Sequence, residues 1–442
     1  MLKLARAVYC QRLIIILGIF LIFIPVYAFS TMRTLTRTED FIVLTGRDVP
    51  ELIGSELSDL RLYSCQTNVC SPIPVQVDKI DANGRYVFPQ DKNPKRDGSL
   101  LDANDELSFM AGDAGDQRSL EWKPELATKG MEIEIRDPLD GARAWVYLFI
   151  EPGSAPAKVP DYVDYQIEGD RATVRSPQFV LSWKKGHIYY DTMQMLDRSG
   201  KLGPDLLDSQ RTGVIARMGK QDLPLIVPED FIRTRDVGII DGPVRVVLAQ
   251  VMVLFSAELQ IQWGTEYFLK YYRCGHTNSE TFEFPSALRN IFNSVEIYWS
   301  LDFSPEILGS IYVDVNHPQT LTVTSGTVKG LPNDAPHYWW ALYGDKGALL
   351  QALDIDDEVL SFYSCAGRWN QDPKAKDRKG DFPGRIEIGF SCKEFTKLPA
   401  DKSFHFVNYI LFPSKPTSSG VKALRNLVEN PLKAAARSLS SI

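Results

Sequence analysis

The sequence lacks the short motifs that identify the commonest enzyme classes. Its 442 residues contain no Gly-x-Ser-x-Gly elbow, no glycine-rich phosphate-binding loop, no HExxH and no paired CxxC. These absences exclude serine esterases of the elbow type, P-loop enzymes and the commonest zinc proteases. No motif specifies a reaction, so function must be argued from compartment, fold and side-chain chemistry.

An excess of basic charge is also missing. Lys and Arg number 49 against 56 Asp and Glu, which gives a net charge of -7. A nucleic-acid partner would require a clustered basic face that neutralises phosphates. We therefore expect no nucleic-acid partner.

Long apolar runs are rare, and the clearest lies at the start of the chain. Residues 13–29 are almost entirely apolar, follow three basic residues and reach a small residue at Ala28. This order predicts a secretory signal peptide over residues 1–28 and export to the periplasm or cell envelope. The alternative is an uncleaved anchor, because the run lies at the short limit of roughly 17 to 25 residues that span a bilayer. In either case we expect membrane contact only through this segment.

Helical periodicity is nearly absent before residue 418. Stretches such as 131–135, 144–150 and 404–412 are rich in β-branched and aromatic residues, and several alternate apolar with polar residues. The apolar run 244–263 is interrupted by Arg and Gln, which favours a buried strand followed by a half-exposed strand over a membrane span. The pattern predicts an all-β fold of two antiparallel β-sandwich domains with a C-terminal helix.

A Pro- and Gly-rich segment divides the chain. Residues 151–160 read as a linker between an N-terminal β-sandwich module at 30–150 and a large β-sandwich domain at 161–415. Residues 418–442 are predicted as a basic helical tail with apolar residues on one face. This tail either packs as a lid on the sandwich or contacts a membrane surface or partner.

Four of the six cysteines are predicted to pair. Cys65 and Cys70 bracket a hairpin-sized loop, whereas Cys365 and Cys392 each end a β-like run. Disulfides at these two pairs fit an exported protein, because oxidising compartments preserve them. After removal of the leader, Cys274 is left without a partner.

Cys274 lies two residues before His276, so on one strand both side chains would point to the same face. A thiolate beside an imidazolium is a nucleophile or a metal ligand. The alternative is a buried free thiol, because no other Cys or His lies at ligand spacing.

Two short acidic segments suggest calcium, the only cofactor that the sequence indicates. Calcium prefers several oxygen ligands from Asp- and Asn-rich loops, although the same residues are ordinary turn formers. Lys79 stands where the first Asp of an EF-type loop belongs, and no bidentate Glu follows. The candidate ligands are Asp78, Asp81, Asn83, Asp102, Asn104 and Asp105.

Four short segments carry a family resemblance: Leu57–Leu62, Ile73–Asp78, Asp102–Ala111 and Gly242–Val246. They resemble exported bacterial β-sandwich proteins of uncharacterised and rhamnogalacturonan-lyase-like type, and Lys79 departs from the second acidic residue of their pattern. The resemblance implies that the larger domain is a mutarotase-like supersandwich with a polysaccharide-related role.

Clusters of aromatic and polar residues are consistent with carbohydrate binding. Sugars stack their apolar C–H faces on aromatic rings and hydrogen-bond to planar polar groups. The candidate substrate-binding residues are Asp334, Trp339, Trp340, Arg368 and Trp369. Aromatic residues that alternate along strands are also ordinary core residues, and adjacent Trp339 and Trp340 must point to opposite faces.

As an enzyme, the chain would cleave a polyuronate by proton abstraction with a His or Tyr base, or act as a glycoside hydrolase. The candidate catalytic residues are His187, Tyr190, His337 and Tyr338. Our first hypothesis is an exported β-sandwich protein that binds carbohydrate and, as an extension, processes it. The alternative is a non-catalytic envelope scaffold or assembly protein that contacts another envelope component.

Overall fold

The computed structural model confirms an all-β fold with one C-terminal helix. The predicted signal segment at 1–28 lies outside the described residues. The structure describes residues 31–439 except 68, 93–97, 119–121, 188, 257–258, 284–289, 318, 327–338, 356–363, 376–381, 383 and 400–401.

Two antiparallel sheets form the first module, which comprises residues 31–150 and one strand from the end of the chain. The smaller sheet has the order β1-β5-β4 and the larger β26-β6-β7-β2-β3. Their apolar residues form one core, which includes Leu44, Phe109 and Val146. The strands of the smaller sheet are β1 (Phe41–Thr45), β4 (Gln76–Asp78) and β5 (Glu106–Met110). Those of the larger are β2 (Leu60–Gln66), β3 (Val69–Ile73), β6 (Lys129–Arg136), β7 (Arg143–Ile150) and β26 (Lys433–Ser438).

Three further antiparallel sheets build the large sandwich, and a nine-stranded sheet lies at its centre. Its order is β14-β15-β16-β17-β25-β22-β21-β19-β20. The nine strands are β14 (Ile232–Asp241), β15 (Arg245–Ser256), β16 (Leu259–Tyr272), β17 (Gly275–Glu283), β19 (Ile311–Asp314), β20 (Leu321–Thr322), β21 (Trp339–Gly344), β22 (Gly347–Ile355) and β25 (Ser403–Leu411).

The other two sheets pack on one face of the nine-stranded sheet. One has the order β13-β12-β18-β24-β23 and is called the facing sheet below; the other is the four-stranded sheet β11-β10-β9-β8. The facing strands are β12 (Leu207–Met218), β13 (Leu223–Pro228), β18 (Phe292–Phe303), β23 (Ser364–Asp372) and β24 (Arg385–Lys393). The four strands are β8 (Asp164–Glu168), β9 (Arg171–Arg175), β10 (Phe179–Lys184) and β11 (Thr192–Met195). Apolar residues of all three sheets, among them Leu181, Phe390 and Trp340, form one core.

The helix α1 (Ser418–Glu429) covers the opposite face of the nine-stranded sheet. Thr417 caps it by accepting a hydrogen bond from the backbone N–H of Gly420. Val421, Leu424 and Leu427 pack against Leu350 and neighbouring residues of the sheet. The helix therefore buries the apolar face that the sequence predicts. Within the part of the chain that the structure describes, no helix has the length and apolar character needed to cross a bilayer.

The predicted helical tail at 418–442 is wrong beyond Glu429. After Pro431 the chain becomes strand β26, in which Lys433 pairs with Arg136 and Ala435 with Glu134 of β6. The free edge of β6 offers a full row of backbone partners, and this pairing outweighs the helix propensity of an Ala-rich segment. The tail completes a sheet of the first module.

Both predicted disulfides are present. Cys65 bonds to Cys70 across the β2–β3 hairpin, and Cys365 bonds to Cys392 between the neighbouring strands β23 and β24. Each bond joins directly paired residues of adjacent strands. The bonds therefore fix strand register within each sheet.

A buried ion pair joins the first module to the large sandwich. Arg245 at the start of β15 is fully buried and lies 2.6 Å from a carboxylate oxygen of Asp78 and 2.6 Å from one of Glu106. The side-chain carbonyl of Gln76 accepts hydrogen bonds from the backbone N–H groups of Val244 and Arg245. The first module therefore supplies both the counter-charges and the backbone acceptor.

Gly242 permits this close approach. A Cβ at position 242 would lie 2.4 Å from the side-chain amide carbon of Gln76. Real Cβ atoms do not approach other carbons so closely, so only glycine fits beside Gln76. The segment Gly242–Val246, noted for its resemblance, thus has a structural role at the module interface.

We expect Arg245→Met to destabilise the protein by about 3 to 5 kcal/mol, because it leaves the buried carboxylate of Asp78 without its cation. Urea unfolding followed by tryptophan fluorescence measures the change. The matched control is Arg198→Met, since Arg198 pairs with Asp345 at the surface with both side chains 75% exposed. The control should cost less than about 1 kcal/mol. Equal effects of the two substitutions would show that the buried pair does not join the modules.

Candidate functional site

A cavity of about 150 Å³ lies between the nine-stranded sheet and the facing sheet. Strands β12 and β18 form one wall, β15, β16, β17 and β25 form the other, and the loop after β10 borders both. The lining residues are mainly aromatic or apolar, with amide and hydroxyl groups between them. Among the described residues that line it there is no Asp, Glu, Lys or Arg.

Strand alternation explains how polar side chains reach this interior. On β15, Val247 and Ala249 pack toward the first module, whereas Leu248 lies in the core between the sheets and Gln250 lines the cavity. Gln250 is nearly fully buried, donates to Asp236 and accepts a 2.8 Å hydrogen bond from the hydroxyl of Tyr267. Its partners offset the cost of burying an amide.

Three side chains meet at the most buried end of the cavity. The hydroxyl of Tyr190 lies 2.8 Å from that of Tyr271 and 3.3 Å from Nε2 of His276. Trp183 stacks on Tyr271, with ring centroids 6.1 Å apart. All four side chains are almost fully buried. The cluster joins the β10–β11 loop to two adjacent strands of the nine-stranded sheet.

Within this cluster, one polar atom has no protein partner. Nδ1 of His276 is buried and makes no hydrogen bond. Burial lowers the pKa of His276 to about 3, so the imidazole is neutral near pH 7. Burial also raises the pKa of the Tyr190 and Tyr271 hydroxyls. The deep end is therefore uncharged and has one unused hydrogen-bonding atom.

The loop between β10 and β11 brings two predicted catalytic residues to the cavity. His187 and Tyr190 both line it, with Nδ1 of His187 2.7 Å from the hydroxyl of Tyr189. Gly186 has a φ of 81°, which favours glycine, and its carbonyl accepts a hydrogen bond from Thr234 of β14. The loop is thereby fixed against the edge of the nine-stranded sheet.

None of the four predicted substrate-binding residues that the structure describes lines the cavity. Trp340 is fully buried and donates to Gln351, and Trp369 is buried in the same core and packs edge-on against Tyr312. Trp339 points to the opposite face, where Arg425 of α1 lies 5.1 Å from its ring. Tryptophans on both faces of a sheet that is covered on both sides become core residues. Asp334, His337 and Tyr338 lie outside the described residues.

Arg368 lies in a polar depression of about 250 Å³ on the outer side of the facing sheet. Its Nε donates to Glu387, and its guanidinium carbon lies 4.6 Å from the ring centroid of Tyr298. Arg211 in the same depression pairs with Glu229 and Asp302. Both guanidinium groups pair with carboxylates, so the depression is a structural ion-pair network.

Protein cations engage the predicted calcium ligands. The ammonium of Lys79 donates to the carbonyl of Leu100 at 2.9 Å, to Asp102 at 2.5 Å and to Asp105 at 2.8 Å. Asp78 pairs with Arg245. Lys79, the residue that departs from the family pattern, thus occupies the centre of the acidic group.

The three remaining calcium candidates, Asp81, Asn83 and Asn104, also have structural partners. Asn104 accepts from Arg47, and Asp81 accepts from the backbone N–H groups of Asn83 and Arg85 in a turn. The described residues contain no group of three or more His, Cys, Asp or Glu side chains arranged to hold a metal ion. In the structure the acidic residues of this region pair with cations or stabilise turns, and calcium binding stays a prediction.

Cys274 and His276 do not share a face, which corrects the expectation from their spacing. Cys274 lies in the turn before β17 and packs with Leu424 beneath α1, whereas His276 faces the cavity. Gly275 between them has a φ of 135°, so the chain does not run as a regular strand here. Burial raises the pKa of the Cys274 thiol well above its usual value, which disfavours a thiolate.

Several cavity residues escaped the sequence analysis. They are Gln210, Gln250, Asn278 and Asn408, which lie in the deep and middle parts of the cavity. His276 was identified, but only as a neighbour of Cys274. One signal in the sequence could have identified the other four: a polar residue at a strand position whose side chain is expected to point into the core. Gln250 and Asn408 are examples. Sequence reasoning used Gln250 only to reject a membrane span.

We expect His276→Phe to flatten the pH dependence of stability. The folded-state pKa of about 3 lies below the unfolded value of about 6.5, so stability is fully present above pH 6.5 and is lost as pH falls toward 3. In urea unfolding, the stability of the parent relative to the variant should fall by about 1.4 kcal/mol per pH unit between pH 6 and pH 4. A constant difference across that range would contradict a buried neutral imidazole.

We expect Cys274 to resist a water-soluble maleimide in the native protein and to react once urea unfolds the chain with its disulfides intact. The physical reason is the complete burial of the thiol beneath α1. Peptide mapping separates Cys274 from Cys10 of the predicted leader. Equal labelling rates in native and unfolded protein would revive a reactive-thiol function.

No protein-family model matches this chain, and no curated protein matches it. Among solved structures, the chain is similar to an alpha-mannosidase from Enterococcus faecalis V583, with a TM-score of 0.43 and 8% sequence identity. The likeness covers 93% of this chain and 46% of that one, so the chain spans about half the length of the mannosidase. At this TM-score the likeness carries no argument about function, and membership of the lyase-like families stays a prediction.

Proposed function

We propose that the protein is exported and binds a small neutral carbohydrate in the cavity between its two main sheets. The observation that carries the proposal is the unpartnered Nδ1 of buried His276 at the deep end of a cavity walled by aromatic rings. A buried polar atom without a partner costs free energy, and a ligand hydroxyl would remove that cost.

The lining chemistry supports a sugar. Trp183, Tyr271 and Trp299 offer ring surfaces for apolar C–H groups, and the amides of Gln210 and Asn408 offer planar polar groups for hydroxyls. The volume of about 150 Å³ equals that of an engineered cavity that binds benzene, so it has room for one six-membered ring. We therefore assign one sugar unit to the cavity.

The absence of charge among the described lining residues favours a neutral ligand. A uronate would bring a carboxylate into a site with no cation beside it, at a high desolvation cost. The polyuronate-lyase hypothesis requires such a cation. Neutral sugars are the better match.

The protonation states favour binding over proton transfer. A general base works best when its pKa lies near the working pH, whereas the pKa of His276 is about 3 and those of Tyr190 and Tyr271 are raised by burial. No group of this cluster is therefore suited to abstract or donate a proton near pH 7. We propose a binding protein rather than a lyase or hydrolase.

Export has separate support. Reducing compartments keep cysteines as thiols, whereas oxidising compartments preserve disulfides. The two disulfides of this protein therefore favour an oxidising compartment. Together with the predicted leader, the disulfides favour the periplasm or cell envelope as the compartment in which the protein binds the sugar.

The test is calorimetric titration of the full chain with neutral monosaccharides, their methyl glycosides and the matching uronic acids. We expect saturable binding of at least one neutral sugar and weaker binding of its uronic acid. His276→Phe should weaken binding about tenfold, since one hydrogen bond contributes about 1 to 1.5 kcal/mol. Tyr190→Phe should have a smaller effect, because it keeps Nδ1 of His276.

The matched control is His405→Phe on the neighbouring strand β25, where His405 is exposed outside the cavity. This variant should bind as the parent does. Failure of every neutral sugar to bind the folded parent at millimolar concentration would exclude the proposal. Equal losses in the His276 and His405 variants would place the sugar elsewhere.

A further inference from the structure

The hydrogen bonds at the deep end of the cavity fix which nitrogen of His276 carries the proton. If the hydroxyl of Tyr271 donates to Tyr190 and that of Tyr190 donates to Nε2 of His276, only the Nδ1–H group stays unbonded. The opposite direction leaves two groups unbonded, the hydroxyl hydrogen of Tyr271 and the lone pair of Nδ1. Each unbonded buried group costs free energy, so the first arrangement is the stable one. His276 therefore presents an N–H donor.

A second buried donor lines the same cavity. The indole Nε1–H of Trp299 can only donate, and it is buried without a hydrogen-bond partner among the described residues. Trp299 lies on β18 of the facing sheet, whereas His276 lies on β17 of the nine-stranded sheet. Each wall of the cavity thus supplies one unused N–H group.

Two side-chain amides of the lining add further donors. The indole of Trp340 donates to Oε1 of Gln351, and Nε2 of Gln351 donates to Oδ1 of Asn408. Because an indole only donates, this chain of bonds has one direction, and it leaves the NH₂ group of Asn408 unused. On the facing sheet, the amide oxygen of Gln210 accepts from the backbone N–H of Tyr190, so the NH₂ group of Gln210 is unused as well. Asn408 and Gln210 both line the cavity.

Unused N–H donors favour ligand oxygens that carry no hydrogen. A hydroxyl that faces an N–H group accepts with its oxygen, and its own hydrogen must then reach another acceptor or stay unbonded at a cost. An ether oxygen accepts without that requirement. The lining has acceptors for the hydroxyls that a ligand retains, namely the amide oxygen of Asn278 and Oγ1 of Thr212, which donates its own hydrogen to the carbonyl of Tyr298.

We infer that the bound sugar is an anhydro sugar, in which an internal ether replaces two hydroxyl groups, and that the ether oxygen accepts from the N–H group of His276 or Trp299. This inference rests on the proposed sugar binding and deepens it from a neutral sugar to one chemical class. Formation of the internal ether removes one molecule of water and adds no atom, so the ligand stays within the room for one ring. A sugar lactone also has oxygens without hydrogen, but it opens in water to a carboxylate, which the uncharged lining disfavours.

The test is calorimetry of the full chain with three sets of sugars based on glucose, galactose and mannose. Each set comprises the hexose, its anhydro derivative with an ether between the anomeric and primary carbons, and the deoxy derivative that lacks the primary hydroxyl. At least one anhydro sugar should bind about tenfold more tightly than its hexose, because it loses two O–H donors and keeps an acceptor. The deoxy sugar loses donor and acceptor together, so it should stay within about threefold of the hexose.

Two substitutions locate the donor that the ether oxygen meets. His276→Phe and Trp299→Phe each keep an aromatic ring and remove the N–H group, and at least one should reduce the preference for the anhydro sugar to less than about threefold. Because the two residues lie on different sheets, a folding defect in one variant leaves the other informative. The matched control is Trp145→Phe, since the indole N–H of Trp145 is likewise buried without a partner but lies in the first module. This control should keep the preference of the parent.

The tautomer of His276 is measured without any ligand. In ¹⁵N NMR spectra of the full chain, the imidazole signals that disappear in His276→Phe should show a protonated Nδ1 and an unprotonated Nε2. The reason is the bond that Nε2 accepts from Tyr190. A ring protonated at Nε2 would overturn the inference.

The binding outcomes separate this inference from the function beneath it. A hexose that binds as tightly as its anhydro derivative would overturn the inference and leave sugar binding intact. A deoxy sugar that gains as much as the anhydro sugar would do the same, because the ether oxygen would then contribute nothing. A preference that survives both His276→Phe and Trp299→Phe would also overturn the inference. Failure of every hexose, deoxy sugar and anhydro sugar to bind the folded parent would overturn both proposals.

Discussion

The ion pair between Arg245 and Asp78 is the constraint on which the cavity depends. Side chains alternate along a strand, so fixing Arg245 outward, toward the first module, turns Leu248 and Gln250 inward between the sheets. A shift of one residue would exchange the two faces of β15. Since Gln76 also binds the backbone at Arg245, the first module sets the register of a strand that lines the cavity.

The sequence predicted those parts of the fold that depend on local pattern. A high content of β-branched and aromatic residues identified strands such as β7 and β25, and hairpin spacing identified the bond between Cys65 and Cys70. It missed β26, because an Ala-rich segment after a helix is locally helical and only the distant edge of β6 makes it a strand. The residues of one segment do not predict its pairing with a segment far away in the sequence.

The candidate site was recovered only in part for a related reason. His187 and Tyr190 were identified from a local aromatic and polar cluster, and both line the cavity. Trp340 and Trp369 have the same local chemistry but lie in the core, because the sheets that carry them are covered. What separates the two groups is what packs against each strand face, and this depends on the assembled sheets rather than on neighbouring residues.

The strand β26 has a consequence for biosynthesis. It pairs with β6, yet the whole large sandwich lies between the two strands in the sequence. While the chain is being made, the first module can collapse around its other strands, but β6 keeps an open row of N–H and C=O groups. Such an edge is a template for pairing with other unfinished chains. Protection of the first module against aggregation therefore comes from a strand that is synthesised only after the large sandwich.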